Sequence, residues 1–117
     1  MRNLEDLALI TDTSKLEGTT YIELLPGPYK NKCWNKESVY IDTEHPHYRS
    51  LENLFEKHFK DFDLYSFEEY SKYEWLKFSD LLKNSNTENI PSSFIDDLDY
   101  WLKRVLEEHD EVTFMGL

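Results

Sequence analysis

The chain has 117 residues, 39% of them hydrophobic and 15% aromatic, enough for a single core built on large side chains and too aromatic for a disordered segment. Thirteen Lys and Arg against twenty-four Asp and Glu give a formal net charge of −11, a field that repels nucleic acid and anionic lipid and draws in cationic partners. Three glycines, Gly18, Gly27 and Gly116, leave no glycine-rich phosphate loop, and one cysteine, Cys33, leaves no internal disulfide or thiolate cluster.

The charge is uneven. Residues 1–36 sum to zero, whereas residues 37–83 sum to −5 and residues 88–117 to −6. Near the start, Glu5 and Asp6 interrupt what a secretory segment would need as an apolar run, and no stretch approaches the roughly 18 apolar residues of a membrane helix, so a cytoplasmic protein is expected. Leu4 to Thr11 reads equally as a helical stripe through Leu4, Leu7 and Ala8 or as a short buried strand. Residues 19–25 then alternate, with Thr20, Ile22 and Leu24 opposite Tyr21, Glu23 and Leu25, and predict a strand closed by Pro26-Gly27-Pro28. Lys30, Lys32 and Lys36 place a polar, basic loop next, and alternation returns over 38–42 with Val39 and Ile41 on one face, predicting an antiparallel hairpin.

From Pro46 the period becomes helical. Tyr48, Leu51, Leu54, Phe55, His58, Phe59 and Phe62 predict a helix over 46–60. The stretch from Asp61 to Lys83 is the most unusual in the chain, because eight of the eighteen aromatic residues fall between Phe59 and Phe78, among Asp and Glu. It carries two Ser-x-x-Glu signatures, Ser66 to Glu69 and Ser71 to Glu74, each able to cap a helix start. A single helix over 67–83 would put Glu74 inside the arc of Phe67, Tyr70, Trp75, Phe78, Leu81 and Leu82. A main helix from Lys72, with Phe67 to Tyr70 as a short turn, removes that conflict. Trp75, Phe78, Leu81 and Leu82 are then assigned to the core, and Tyr73 and Leu76 project away from it.

After the turn-rich 84–90 linker, Phe94, Ile95, Leu98, Trp101, Leu102, Val105 and Leu106 predict a helix over 94–109, with Ser93 as its cap and Asp96, Asp97 and Asp99 near its positive end. Residues 111–117 read as a strand that joins the hairpin. The expected fold is α+β in one domain, 1–117: a small antiparallel sheet (19–25, 38–42 and 111–117) packed against about three helices (46–60, 67–83 and 94–109).

Catalytic chemistry finds little support. Asp42, Glu44, His45 and His47 gather metal-ligating types in one loop, but His-Pro-His has no recognised ligand spacing, so neither a metal nor a cofactor is expected. Cys33, in its lysine-flanked loop, has no partner motif, and adjacent acids such as Glu68 with Glu69 point about 100° apart on a helix. What remains is a recognition surface for a basic protein: Asp61, Asp63, Tyr65, Glu68, Glu69, Tyr70, Tyr73 and Leu76, with Asp96, Asp97 and Asp99 as a second patch.

Small, acidic, rich in Tyr and Trp and without catalytic motifs, the chain resembles in general character the bacterial immunity proteins of contact-dependent inhibition and related polymorphic toxin systems. That resemblance implies a cognate toxin as partner, often a nuclease, and carries over no individual residue. A DNA-mimic or a regulatory interaction module is the alternative expectation, although Lys57, Lys60, Lys72, Lys77, Lys83, Lys103 and Arg104 interrupt the row of carboxylates that mimicry needs. A small enzyme using Cys33 or the 42–47 loop ranks behind both.

Overall fold

In the computed structural model, the residues described are 7–11, 16, 20–27, 37–59, 62–63, 65–85 and 90–116. The elements run β1 (Tyr21–Pro26), β2 (Val39–Asp42), α1 (Tyr48–His58), β3 (Phe67–Ser71), α2 (Lys72–Asn84), α3 (Ser92–Val105) and β4 (Glu111–Met115). The four strands form one antiparallel sheet in the order β2-β1-β4-β3. The C-terminal strand therefore joins the hairpin, and it does so in the middle of the sheet.

Register puts Ile22 opposite Ile41, and Leu24 between Val39 and Phe114, with Val112 opposite Pro26. These residues share one face and form a single core with Leu51 and Phe55 of α1, Trp75, Phe78 and Leu82 of α2, and Phe94, Leu98 and Leu102 of α3. The period-2 and period-3.6 stripes read from the sequence thus meet each other, as a two-layer α+β domain requires. The other sheet face is also buried, at Leu25, Tyr40, Thr113 and Met115. Leu7 is buried as well, and Ile10 exchanges both backbone hydrogen bonds with Tyr40, so the Leu4 to Thr11 ambiguity resolves at Ile10 toward strand pairing.

Several boundaries differ from expectation. Phe67 to Tyr70 is a strand, not a turn or a helix, because Tyr70 and Glu68 pair with Val112 and Phe114 of β4. The first helix begins at Tyr48, since the chain from Asp42 to His47 turns on Asp42 Oδ1, which accepts from the Glu44 amide, and on His45 Nδ1, which accepts from the His47 amide. The third helix spans Ser92–Val105 with Pro91 at its N-cap, so Ser93 lies inside the first turn and does not cap it. That helix stops short of residue 109 because the His109 amide turns back to the Val105 carbonyl and β4 starts at Glu111. Leu81 is only half-buried. The ends of the expected elements at Thr19, Lys60 and Leu117 lie outside the described residues. Among the described residues no helix is long and apolar enough to cross a membrane.

Gly27 closes β1 at φ 77°, a left-handed conformation that suits a residue without Cβ, and a Cβ there would meet His109 Nδ1 at 3.0 Å. Two polar contacts hold the helices in place. The buried Trp75 indole N–H donates to the Val112 carbonyl at 2.9 Å, and Trp101 donates to the Glu37 carbonyl at 2.8 Å. Between α2 and α3, Asp99 accepts from the Ser79 hydroxyl at 2.7 Å and pairs with Lys83 at 2.9 Å and Lys103 at 3.1 Å. Burial alone would raise the Asp99 pKa, but the Ser79 hydrogen bond and the two ammonium groups outweigh it and lower it from 3.8 to about 2.

Because the folded-state value is depressed, the stabilisation from Asp99 is fully present above the ordinary carboxylate range and is lost as pH falls toward about 2. Asp99→Asn is expected to lose about 1–2 kcal/mol in urea unfolding at pH 7. The gap from the unaltered protein should narrow between pH 4 and pH 2.5; a gap that stays constant would remove the clamp as its cause.

Candidate protein-interaction surface

The surface is built where the sheet's outermost strand runs into a helix. Asp63 starts it with a tight turn in which its Oδ1 accepts from the Tyr65 amide at 2.9 Å, while the Ser66 amide and hydroxyl donate to the Asp63 carbonyl. Ser66 then accepts the Gly116 amide at its carbonyl, which fastens the turn to the end of β4. Its hydroxyl is 3.4 Å from Glu68 Oε1, and the first Ser-x-x-Glu signature, Ser66 to Glu69, opens β3 and not a helix.

Along β3 the strand alternation separates two roles. Phe67, Glu69 and Ser71 face out, while Glu68 and Tyr70 turn toward the helix side. Tyr70 stacks on Phe59 with ring centroids 4.3 Å apart and meets Trp75 edge-on at 6.1 Å. At Ser71 the backbone changes to helix, and its hydroxyl accepts from the Glu74 amide at 3.3 Å, the capping bond read from the second signature. The reciprocal half is missing: Glu74 Oε2 sits 3.5 Å from His58 Nε2, which also contacts the Glu74 carbonyl at 2.9 Å and ties α1 to α2. Lys72 enters the helix with its amide donating to the Asp110 carbonyl at 2.7 Å.

Between Asp63 and Tyr73 three large side chains stand in solvent: Tyr65 at 72%, Phe67 at 48% and Tyr73 at 64% exposure. The Lys77 ammonium lies 4.2 Å above the Tyr73 ring, an i,i+4 cation–π contact that orients the phenol. Asp63 and Glu69 are exposed among them, so Asp63, Tyr65, Glu69 and Tyr73 of the sequence-derived set come together on one strand-to-helix segment.

Other members of that set take different roles. Tyr70 belongs to the core edge, where its ring is worth more against Phe59 than in solvent. Leu76 also packs against the core, since α2 lies between neighbours and buries more than one stripe. Asp99 is committed to the α2–α3 clamp, with its side chain 15% exposed. Glu68 is half-buried on the helix side, Asp96 and Asp97 are exposed on α3 as a separate element, and Asp61 lies outside the described residues. Among the described residues, two exposed aromatics fell outside the sequence-derived set. Phe67 was hidden by assuming a helical period where the period is two, and Tyr100, 71% exposed, sits opposite the apolar stripe of α3, where the helical period does place it.

As for catalytic alternatives, the His45 and His47 rings lie 5.4 Å apart, tilted, in a turn held by its own local hydrogen bonds. Among the described residues no group of three or more His, Cys, Asp or Glu is placed to hold a metal ion. Cys33 and its flanking lysines lie outside the described residues. Compared with known proteins, the chain matches no protein-family model, no curated protein and no solved structure.

Removal of exposed side chains should separate contact from core. Tyr65→Ala and Tyr73→Ala are expected to change unfolding free energy by no more than about 0.5 kcal/mol, whereas Tyr70→Ala should cost about 2–4 kcal/mol through the lost ring packing. Thermal melts of the three variants check this, and equal losses at Tyr70 and Tyr73 would contradict the division.

Proposed function

We propose that this chain is an acidic protein-binding inhibitor, an immunity protein that neutralises a cognate toxin by presenting carboxylates and aromatics to a basic surface. The observation that carries the reading is the segment from Asp63 to Tyr73, where three exposed aromatic side chains stand among exposed carboxylates on a backbone held by a turn, a strand ladder and a helix cap. Large solvent-exposed aromatics have no folding purpose of their own, and Tyr in particular supplies rigid contact area and a hydroxyl at low entropic cost. Holding them on regular elements lowers the ordering cost of binding.

The charge selects the partner. With a net charge of −11 the chain is steered to cationic surfaces, and the Lys- and Arg-lined cleft of a nuclease is one that spaced carboxylates can occupy. In this reading Tyr65, Phe67 and Tyr73 anchor the complex, while Asp63 and Glu69 set orientation and association rate. Of the cations on α2 and α3, which are Lys72, Lys77, Lys83, Lys103 and Arg104, Lys83 and Lys103 are engaged by Asp99.

The test is co-purification from the native host, followed by assay of the captured protein. A basic toxin whose activity is suppressed on adding this chain supports the proposal, as does a gene for a large secreted protein with a toxic C-terminal region immediately upstream. The combined variant Asp63→Lys, Glu69→Lys, Tyr73→Ala should weaken that complex at least about 30-fold, with the association rate falling most at low salt. Glu107→Lys with Glu108→Lys should leave it within a few-fold. Equal affinity of the triple variant and the unaltered chain would overturn the assignment of this surface.

A further inference from the structure

Asp96, Asp97, Tyr100, Lys103 and Arg104 are exposed on α3, and they recur at the three- and four-residue steps that put side chains on one face of a helix. The other face, with Phe94, Leu98, Trp101, Leu102 and Val105, is buried. Tyr100 stands in the middle of the outer stripe at 71% exposure, and it belongs neither to the core cluster nor to the segment from Asp63 to Tyr73.

The order of charges along this stripe is its informative feature. Two acids precede Tyr100 by three and four residues, and two bases follow it by the same three and four. In two antiparallel helices related by a two-fold axis at Tyr100, Asp96 of one copy therefore faces Arg104 of the second copy, Asp97 faces Lys103, and the two Tyr100 rings meet on the axis. Lys103 already lies 3.1 Å from Asp99 of its own helix, so the Asp96–Arg104 pair carries more of the attraction. Glu107, exposed just past the helix, falls opposite the exposed Ser93 and meets no acid.

We infer that α3 docks on α3 of a second copy of this chain, antiparallel and across a two-fold axis, through Tyr100 and the two Asp96–Arg104 pairs. A second copy fits this stripe better than a basic protein does, because its two acids and two bases sum to zero and their order is its own complement. The net charge of −11 on each copy opposes association. At physiological ionic strength, however, charges more than about 8 Å apart are largely screened, and groups in contact much less so. One helix pair makes a small interface, so the dimer is weak, with a Kd on the order of 0.1 mM. It uses none of the residues proposed to bind the toxin, and either association can exist without the other.

Sedimentation equilibrium of the full chain, at concentrations up to about 1 mM and about 0.15 M salt, should show a reversible monomer–dimer equilibrium built on the 14.1 kDa chain. Tyr100→Ala is expected to weaken the dimer about tenfold. Asp96→Arg and Arg104→Asp should each weaken it at least about tenfold, because each sets like charges against one another twice across the axis. An equimolar mixture of those two single variants should associate about as tightly as the unaltered chain, since every facing pair is again of opposite sign. Thermal melts check that the variants fold. Where a charge reversal costs the fold, Asp96→Asn and Arg104→Gln should each weaken the dimer about threefold. The proposal is overturned by a chain that stays monomeric up to about 1 mM, by a dimer that the Tyr100, Asp96 and Arg104 variants leave unchanged, or by a mixture that associates no better than either variant alone.

Discussion

The structure depends on one aromatic cluster. Phe55 of α1 stacks on Phe78 at 4.8 Å and on Phe62 at 5.4 Å, and meets Trp75 and Phe114 edge-on; Phe59 continues the cluster to Tyr70, Trp75 and Phe78. Each favourable ring pair adds about 0.5–1.5 kcal/mol beyond area burial. The cluster joins α1, α2, β3 and β4 at one point, so a short chain with modest hydrophobic content holds two layers together. Trp75 gives it direction, because its indole N–H has its buried acceptor at Val112 and so fixes α2 over β4.

That constraint also builds the surface. β3 is held on one side by its ladder with β4 and on its inner face by Tyr70 against Phe59, and α2 starts immediately from its last residue. Every second residue of the strand is therefore turned outward, and the first turn of α2 carries Tyr73 beyond it. The same few residues supply core and exposed aromatic surface, which accounts for the high density of aromatics among acids between Phe59 and Phe78. Tyr70 and Tyr73, three residues apart and alike in chemistry, end on opposite sides of that division because a strand-to-helix transition lies between them.

Much of this was legible in the chain. The alternation around Ile22 and Leu24 and around Val39 and Ile41, the stripe from Phe94 to Leu106, and the Ser71 cap before Lys72 are local signals, and each appears in the structure close to where it was read. The third strand was not legible. FEEYS turns only one hydrophobic residue, Tyr70, to the core, so its hydrophobic pattern is too weak to declare a period, and its ladder partners in β4 lie far away in sequence, from Ser71 with Glu111 to Phe67 with Met115. The placement of Asp99 in the α2–α3 clamp and of Leu76 against the core was not legible for a related reason: which exposed-looking position finds a neighbour depends on where α3 and the core lie relative to α2.

The acidic field, the α+β composition, the helix cap at Ser71 and the concentration of aromatics beside carboxylates all follow from the order of residues, because charge, capping and periodicity are local properties. The tertiary structure alone decided that β4 is central and β3 outermost, and that Tyr70 belongs to Phe59 while Tyr65, Phe67 and Tyr73 face solvent. Those outcomes rest on contacts between residues far apart in sequence, whose partners no local pattern names.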